Sequence, residues 1–296
     1  MSTDPDQSSG STPASGFERS KNTFPGEVRA NFVRWLKKFV RSPSAIVMDL
    51  IQPIIFLVLF TAVFGGIAAG PITEALGKHL SYLTFLLPAI AIQVSITTGQ
   101  GAGITLVRDM DEWIFEKVMV SPMGTTAVFL GKTASELARI AVQILIILGL
   151  GVLMGAEIAT GVPGILGVVL VGVLFSTIFV SLSTAIAMLT RDPEVMMSVT
   201  MPIMFPLLFL SNAFLPLAAL PPWIRTFAAV NPVTYGVDAS RAMIVGADVM
   251  TVIEVSAFSG IWNTLVPAFA VLGGYVLLTG VVAVFTIKRV TSTGVA

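Results

Sequence analysis

Gly131-Lys132-Thr133 is the tripeptide of this 296-residue chain with the look of a phosphate cradle. A phosphate-binding loop, GxxxxGK[ST], requires Gly at position 126, where Thr126 stands, and Gly124 comes two places too early. No apolar strand precedes it. The tripeptide therefore reads as a turn, with Lys132 as a snorkelling anchor ahead of an apolar span. Cysteine is absent and His79 is the only histidine, so thiolate nucleophiles, triads and His/Cys metal sites have no material. The chain is expected not to be an enzyme, and its own cofactors and metals are expected to be none.

What remains is non-covalent chemistry. Gln93, Thr97 and Gln100 recur at i, i+4 and i+7, as do Thr177, Ser181 and Thr184. On helices each trio forms a polar stripe. With Phe205, Phe209 and Asn212 they are candidates for the path of a hydrophobic or amphiphilic solute. The competing reading is that Ser and Thr bond their own i−4 carbonyls or a neighbouring helix. Asp109, Glu112 and Glu116 fall at i, i+3 and i+7, which gives one acidic helix face, with Trp113 and Ile114 apolar beside it and Lys117 following. Pro122 closes that segment. It suits docking on another protein, or packing on the chain's own spans. Phe32, Trp35, Leu36, Phe39 and Val40 make an apolar stripe in 27–42, with Arg34, Lys37, Lys38 and Arg41 around the rest of the wheel. Such a helix lies on an anionic leaflet or on a partner protein.

The elements that must hold these residues are membrane helices. Apolar residues make up 55% of the chain and charged residues 11%, with a mean hydropathy of +0.90. A soluble domain carries about 25% charged residues. Net charge is +0, which gives no electrostatic reason to seek nucleic acid. A spanning helix needs roughly 20 apolar residues, and six stretches qualify: 46–69, 80–107, 140–156, 162–189, 195–220 and 265–287. Asp49 is the only ionised group inside any of them, within a turn of one end, so no charge needs to be buried. Residues 1–26 read as a disordered tail and 27–42 as the interfacial helix. The six-span domain covers 43–290.

With six spans and the amino terminus inside, fourteen Lys and Arg lie in inner segments and only Lys78, Arg225 and Arg241 in outer ones. The positive-inside bias therefore places both termini in the cytoplasm. No mid-span ionisable group offers a coupling-ion site and no filter motif is present, so the energy source is expected outside the chain. Residues 108–132 form a cytoplasmic loop. Residues 221–260 form an outer loop, in which Asn231-Pro232 is an N-cap with Pro at the first helical position. Trp223 and Tyr235 suit the interface there. Short helices dipping back toward the outer leaflet would either gate an exit or cap the bundle. Gly66/Gly70, Gly99/Gly103 and Gly151/Gly155 have the spacing for close helix contact.

Three stretches carry a resemblance: RSPSAIVMDLIQPIIFLVLFTAVFGG, RDMDEWIFEKVMVSPMGTTAVFLGK, and FLPLAALPPWIRTFAAVNPVTYGVDASRAMI with its Leu-Pro, Asn-Pro and Asp-Ala-x-Arg elements. The chain resembles the type-2 ATP-binding-cassette exporter permeases, in the flavour of the daunorubicin-resistance and drug-efflux members. That resemblance implies a membrane-surface helix at Arg34 to Arg41 and a coupling helix at Asp109 to Val120. It also implies outer helices at Pro221 to Val245, with Trp223, Asn231, Pro232, Tyr235 and Arg241 as gate residues. It further implies two ATPase subunits that bind ATP and Mg2+, a second permease forming a homodimer, and a plasma-membrane location. The solute expected is hydrophobic. Polysaccharide would want a denser aromatic and polar track, and the rival from another class is a non-transporting scaffold.

Overall fold

The computed structural model describes residues 24–41, 43–68, 70, 72–73, 80–111, 125–253 and 258–293. All regular structure among them is helical. The helices are α1 (Phe24–Val40), α2 (Pro43–Phe64), α3 (Tyr82–Asp111), α4 (Thr125–Leu153), α5 (Val162–Thr190), α6 (Pro193–Phe209), α7 (Pro222–Val230), α8 (Pro232–Val245) and α9 (Trp262–Thr293).

Five of these, α2, α3, α4, α5 and α9, are long and apolar enough to cross a bilayer. The stretch expected as one span over 195–220 is not one helix. It ends at Phe209, and Pro193–Phe209 is an apolar helix of 17 residues. Pro202 and Pro206 lie inside it, each removing one i→i−4 bond. Beyond it the chain turns through Ser211 and Asn212 into a 3-10 turn at Leu217–Ala219. A hydropathy window sees only the apolar character of 210–220, which is equally that of a buried loop.

α3 is the hub. Its spanning window is 94% buried, against 17% in α2 and in α9. It packs on α5 above all, and also on α4, α2, α8 and α6. The seam with α5 runs through glycines: a Cβ on Gly99 would stand 2.9 Å from the Phe179 Cβ, and one on Gly103 would stand 2.5 Å from the Ser183 carbonyl oxygen. The Ser183 hydroxyl donates to the Gly99 carbonyl across the same seam at 2.8 Å. Of the other glycine spacings, Gly151 receives Leu87, whereas Gly66, Gly70 and Gly155 face open space.

Gly131-Lys132-Thr133 is not a turn. It lies within α4, which starts at Thr125 because 125–139 is rich in helix-forming Ala, Leu and Glu although too polar to register as a span. Gly131 is where α1 crosses α4; a Cβ there would meet the Asn31 Cβ at 2.6 Å. α1 therefore rests on the chain's own α4, with the Lys132 Nζ 5.1 Å from the centre of the Trp35 ring and the Arg34 guanidinium 5.8 Å from it. Arg34, Lys37 and Arg41 are exposed.

Candidate functional site

α2, α3 and α6 enclose a cavity of about 220 Å³ toward the end of the bundle that bears α1. Its polar lining comes from Asp49 and Gln52 on α2, Thr97, Thr98 and Gln100 on α3, and Thr200 on α6. Methionines 48, 197, 201 and 204 supply much of the apolar wall. The two outer helices are held to the hub by polar threads. Gln100 Nε2 donates to the Thr200 carbonyl at 3.2 Å, tying α3 to α6. The α2 side is anchored to α4: Arg139 donates to Asp49 Oδ2, and Gln143 Nε2 donates to the same oxygen at 2.9 Å. Gln143 Oε1 in turn accepts from the Thr98 hydroxyl at 2.6 Å. Arg139 also reaches Glu136 Oε2 at 3.4 Å.

Of the polar stripe on α3, Thr97 and Gln100 line the cavity, and the Thr97 hydroxyl donates to the Gln93 and Val94 carbonyls. Gln93 is fully buried, and neither atom of its amide meets a hydrogen-bond partner among the described residues. An unpaired buried amide costs about 1–3 kcal/mol. The stripe on α5 is not brought to this cavity. Thr177, Ser181 and Thr184 are half-buried, and the Thr177 hydroxyl donates to its own Leu174 carbonyl at 2.6 Å.

Phe205 and Phe209 lie on the exposed face of α6, 43% and 47% accessible, and begin a chain of rings. Phe205 neighbours Phe209, which meets Phe214 at 5.0 Å between centroids; Phe214 stacks on Phe60 of α2 at 4.6 Å. From Phe60 the contacts continue through Phe64 and Tyr82 to Phe85. This aromatic belt bridges α2 and α6 beyond the cavity, at the end where α7 and α8 sit.

Over the Phe85 ring, 3.8 Å from its centre, lies the Arg241 guanidinium. Arg241, placed by sequence in an outer segment, is fully buried together with Asp238. The pair lies outside the six stretches expected to span, for which no buried charge was expected. An i, i+3 pair on α8 brings the two groups to 3.4 Å, and the surroundings meet what remains. Arg241 donates to the Phe85 and Asn212 carbonyls. Asp238 accepts from Asn212 Nδ2 at 2.5 Å, from the Thr251 amide at 3.0 Å and from the Thr251 hydroxyl at 2.8 Å. Burial pushes the Asp238 carboxyl up to about 6, while Arg241 and these donors act in the opposite direction. Asn212 thus sits in this cluster. The signal for it was the spacing within PVTYGVDASRAMIVG: one acid and one base a turn apart on an otherwise apolar helix.

Asn231 caps two helices. Its Oδ1 accepts from the Val233 amide at 2.9 Å as the N-cap of α8, followed by Pro232. Its Nδ2 donates to the Leu207 and Leu210 carbonyls, which the ending of α6 leaves open. Tyr235 is buried and its hydroxyl donates to the Ala229 carbonyl. Trp223 is exposed, in edge contact with Phe227. Asp109 lies in the last turn of α3, while Glu112, Trp113, Glu116 and Lys117 lie outside the described residues.

Residues 26–245 match the model of the ABC-2 type transporter family, and the chain belongs to that family. It is 27% identical over 270 residues to the daunorubicin resistance ABC transporter permease protein DrrB1 of Streptomyces coeruleorubidus, covering 87% of this chain and 93% of that one. It is 25% identical over 236 residues to the probable doxorubicin resistance ABC transporter permease protein DrrC of Mycobacterium tuberculosis, covering 80% and 83%. The inner membrane transport permease YadH of Escherichia coli is 26% identical over 215 residues, covering 72% and 81%. The chain is therefore a multi-pass membrane permease subunit, and its family implies an ATP-binding-cassette ATPase as partner.

Proposed function

We propose that this permease moves a hydrophobic or amphiphilic solute, drug or lipid-like, out through the plasma membrane, using ATP and Mg2+ bound by two copies of a separate ATPase. α6 serves as the fifth of six crossings, which puts both termini, α1 and residues 108–132 in the cytoplasm and α7 and α8 outside. A second copy of the chain completes the conduit. The coupling face is Asp109, Glu112, Trp113, Glu116 and Lys117, seated on the ATPase. The exposed Arg34, Lys37 and Arg41 face lipid headgroups.

The observation that carries this reading is the cavity between α2, α3 and α6. It offers polar lining on one helix hub and methionine walls beside faces of α2 and α6 that are themselves exposed and apolar, so a solute dissolved in the inner leaflet reaches it sideways. Methionine adapts its shape to varied apolar bodies. Outward from there such a solute has to pass the level of the buried Gln93 and the aromatic belt.

The test is reconstitution in vesicles with its partner ATP-binding-cassette ATPase. Export of a fluorescent hydrophobic dye and dye-stimulated ATP hydrolysis are expected. Charge reversal at Asp109, Glu112 and Glu116 together abolishes the stimulation while the chain still inserts. Unchanged stimulation removes the docking role, and uphill transport by the permease alone overturns the reading.

A further inference from the structure

The transport reading leaves open what a solute's polar head meets in the cavity, and this inference rests on that reading. We infer that the cavity between α2, α3 and α6 takes the head of a cationic amphiphile, with the Asp49 carboxylate as its recognition group.

Asp49 is the single charged residue among the described residues lining the cavity. Its side chain is 33% accessible, and both of its protein donors, Arg139 and Gln143, fall on Oδ2. Oδ1 takes no hydrogen bond from the described residues. A carboxylate with one oxygen anchored and the other open is a fixed acceptor, already oriented and not needing to be ordered by the ligand. Around it Gln52, Thr97 and Gln100 add neutral polar groups, and the methionines receive the apolar body.

The chemistry selects by charge. An ammonium head that enters between the methionine walls gives up part of its water, and an anion there offsets that loss. Asp49 supplies it, by a charge-assisted bond to Oδ1. An anionic head meets the reverse: Arg139, the nearest cation, is already engaged by Asp49 and by Glu136, and it does not line the cavity. A neutral hydroxyl head binds Oδ1 with an ordinary hydrogen bond. The ordering is therefore ammonium, then alcohol, then carboxylate.

Arg139 and Gln143 stand on α4, which begins at Thr125, directly after residues 112–124. An ammonium group on Asp49 competes with Arg139 for the same carboxylate. Occupancy of the cavity is thereby felt by the helix that leads to the coupling loop.

The probes are a matched pair: the dansyl amide of 1,10-diaminodecane, which ends in an ammonium, and that of 10-aminodecanol, which ends in a hydroxyl. Binding to the full chain in phosphatidylcholine nanodiscs is read from dansyl emission, with protein-free discs subtracted. The ammonium probe is expected to bind about tenfold tighter or more. Asp49→Asn removes that preference, and Glu194→Gln, an exposed carboxylate outside the cavity, leaves it intact. Met201→Trp fills the cavity without touching the ion pair and weakens both probes, so the proposal stays testable if Asp49→Asn does not fold. Equal affinities in the wild type, a preference that survives Asp49→Asn, or binding that Met201→Trp leaves at full strength for both probes, overturn it. Dye export with no ammonium preference sinks this inference alone. A preference without ATP-driven export leaves the site standing and sinks the transport reading.

Discussion

Two carboxylate–arginine pairs stand at opposite ends of the bundle, and they are built to different specifications. Asp238–Arg241 is wholly buried, both partners lie on one helix, and Asn212, Thr251 and the Phe85 carbonyl surround them. Asp49–Arg139 joins two helices, is partly accessible, and leaves one carboxylate oxygen without a protein donor. A charge pair removed from water repays its desolvation only when nearly every donor and acceptor is met. The first pair meets that condition and acts as a staple holding α8 against α3. The second does not, and is left responsive.

The largest test of this contrast is Arg241→Leu, which strands the Asp238 carboxylate in the interior. It is expected to cost about 3–5 kcal/mol, seen as loss of the monodisperse peak in detergent size exclusion. The double change Asp238→Asn with Arg241→Gln recovers much of that peak; failure to recover it would mean that the staple is more than a matched pair. Next in size is Asn231→Ala, which removes an N-cap and two bonds to the end of α6. A loss of about 1–3 kcal/mol is expected in thermal unfolding, with Asn231→Asp intermediate because it keeps the cap and gives up the donors. Asp49→Asn is expected to shift stability by no more than about 1 kcal/mol, since the pair is partly solvated, while dye-stimulated ATP hydrolysis falls. A loss as large as that of Arg241→Leu would erase the distinction between the two ends. Smallest is Gln93→Leu: with no hydrogen bond to lose, it is expected to leave the unfolding temperature unchanged or slightly raised and to slow export.

Hydropathy alone places five of the spans, because a run of some 20 apolar residues has few other uses. The double cap at Asn231 was half legible: Asn-Pro announces the start of α8, but nothing local announces that the same amide closes α6. The ends of α6 and the identity of Gly131 were misjudged for one reason. A window average records how apolar a stretch is and not whether its backbone stays helical, so apolar 210–220 read as span and polar 125–139 as loop. Asp238 and Arg241 escaped because only the six assigned stretches were searched for charge, although their i, i+3 spacing was in view. The Asp49–Arg139 link joins residues 90 positions apart, which no periodicity reveals.

α6 has one more implication. Its 17 residues rise about 26 Å, short of the roughly 30 Å of hydrocarbon. The non-helical backbone that follows is tolerated at that depth because Ser211, Asn212 and Ala213 are covered by protein. With α6 as the proposed fifth crossing, lipids flanking it must shorten or bend inward to match, which dimples the leaflet where α6 stops. A solute released there by the proposed pump has a thinner oily layer to clear.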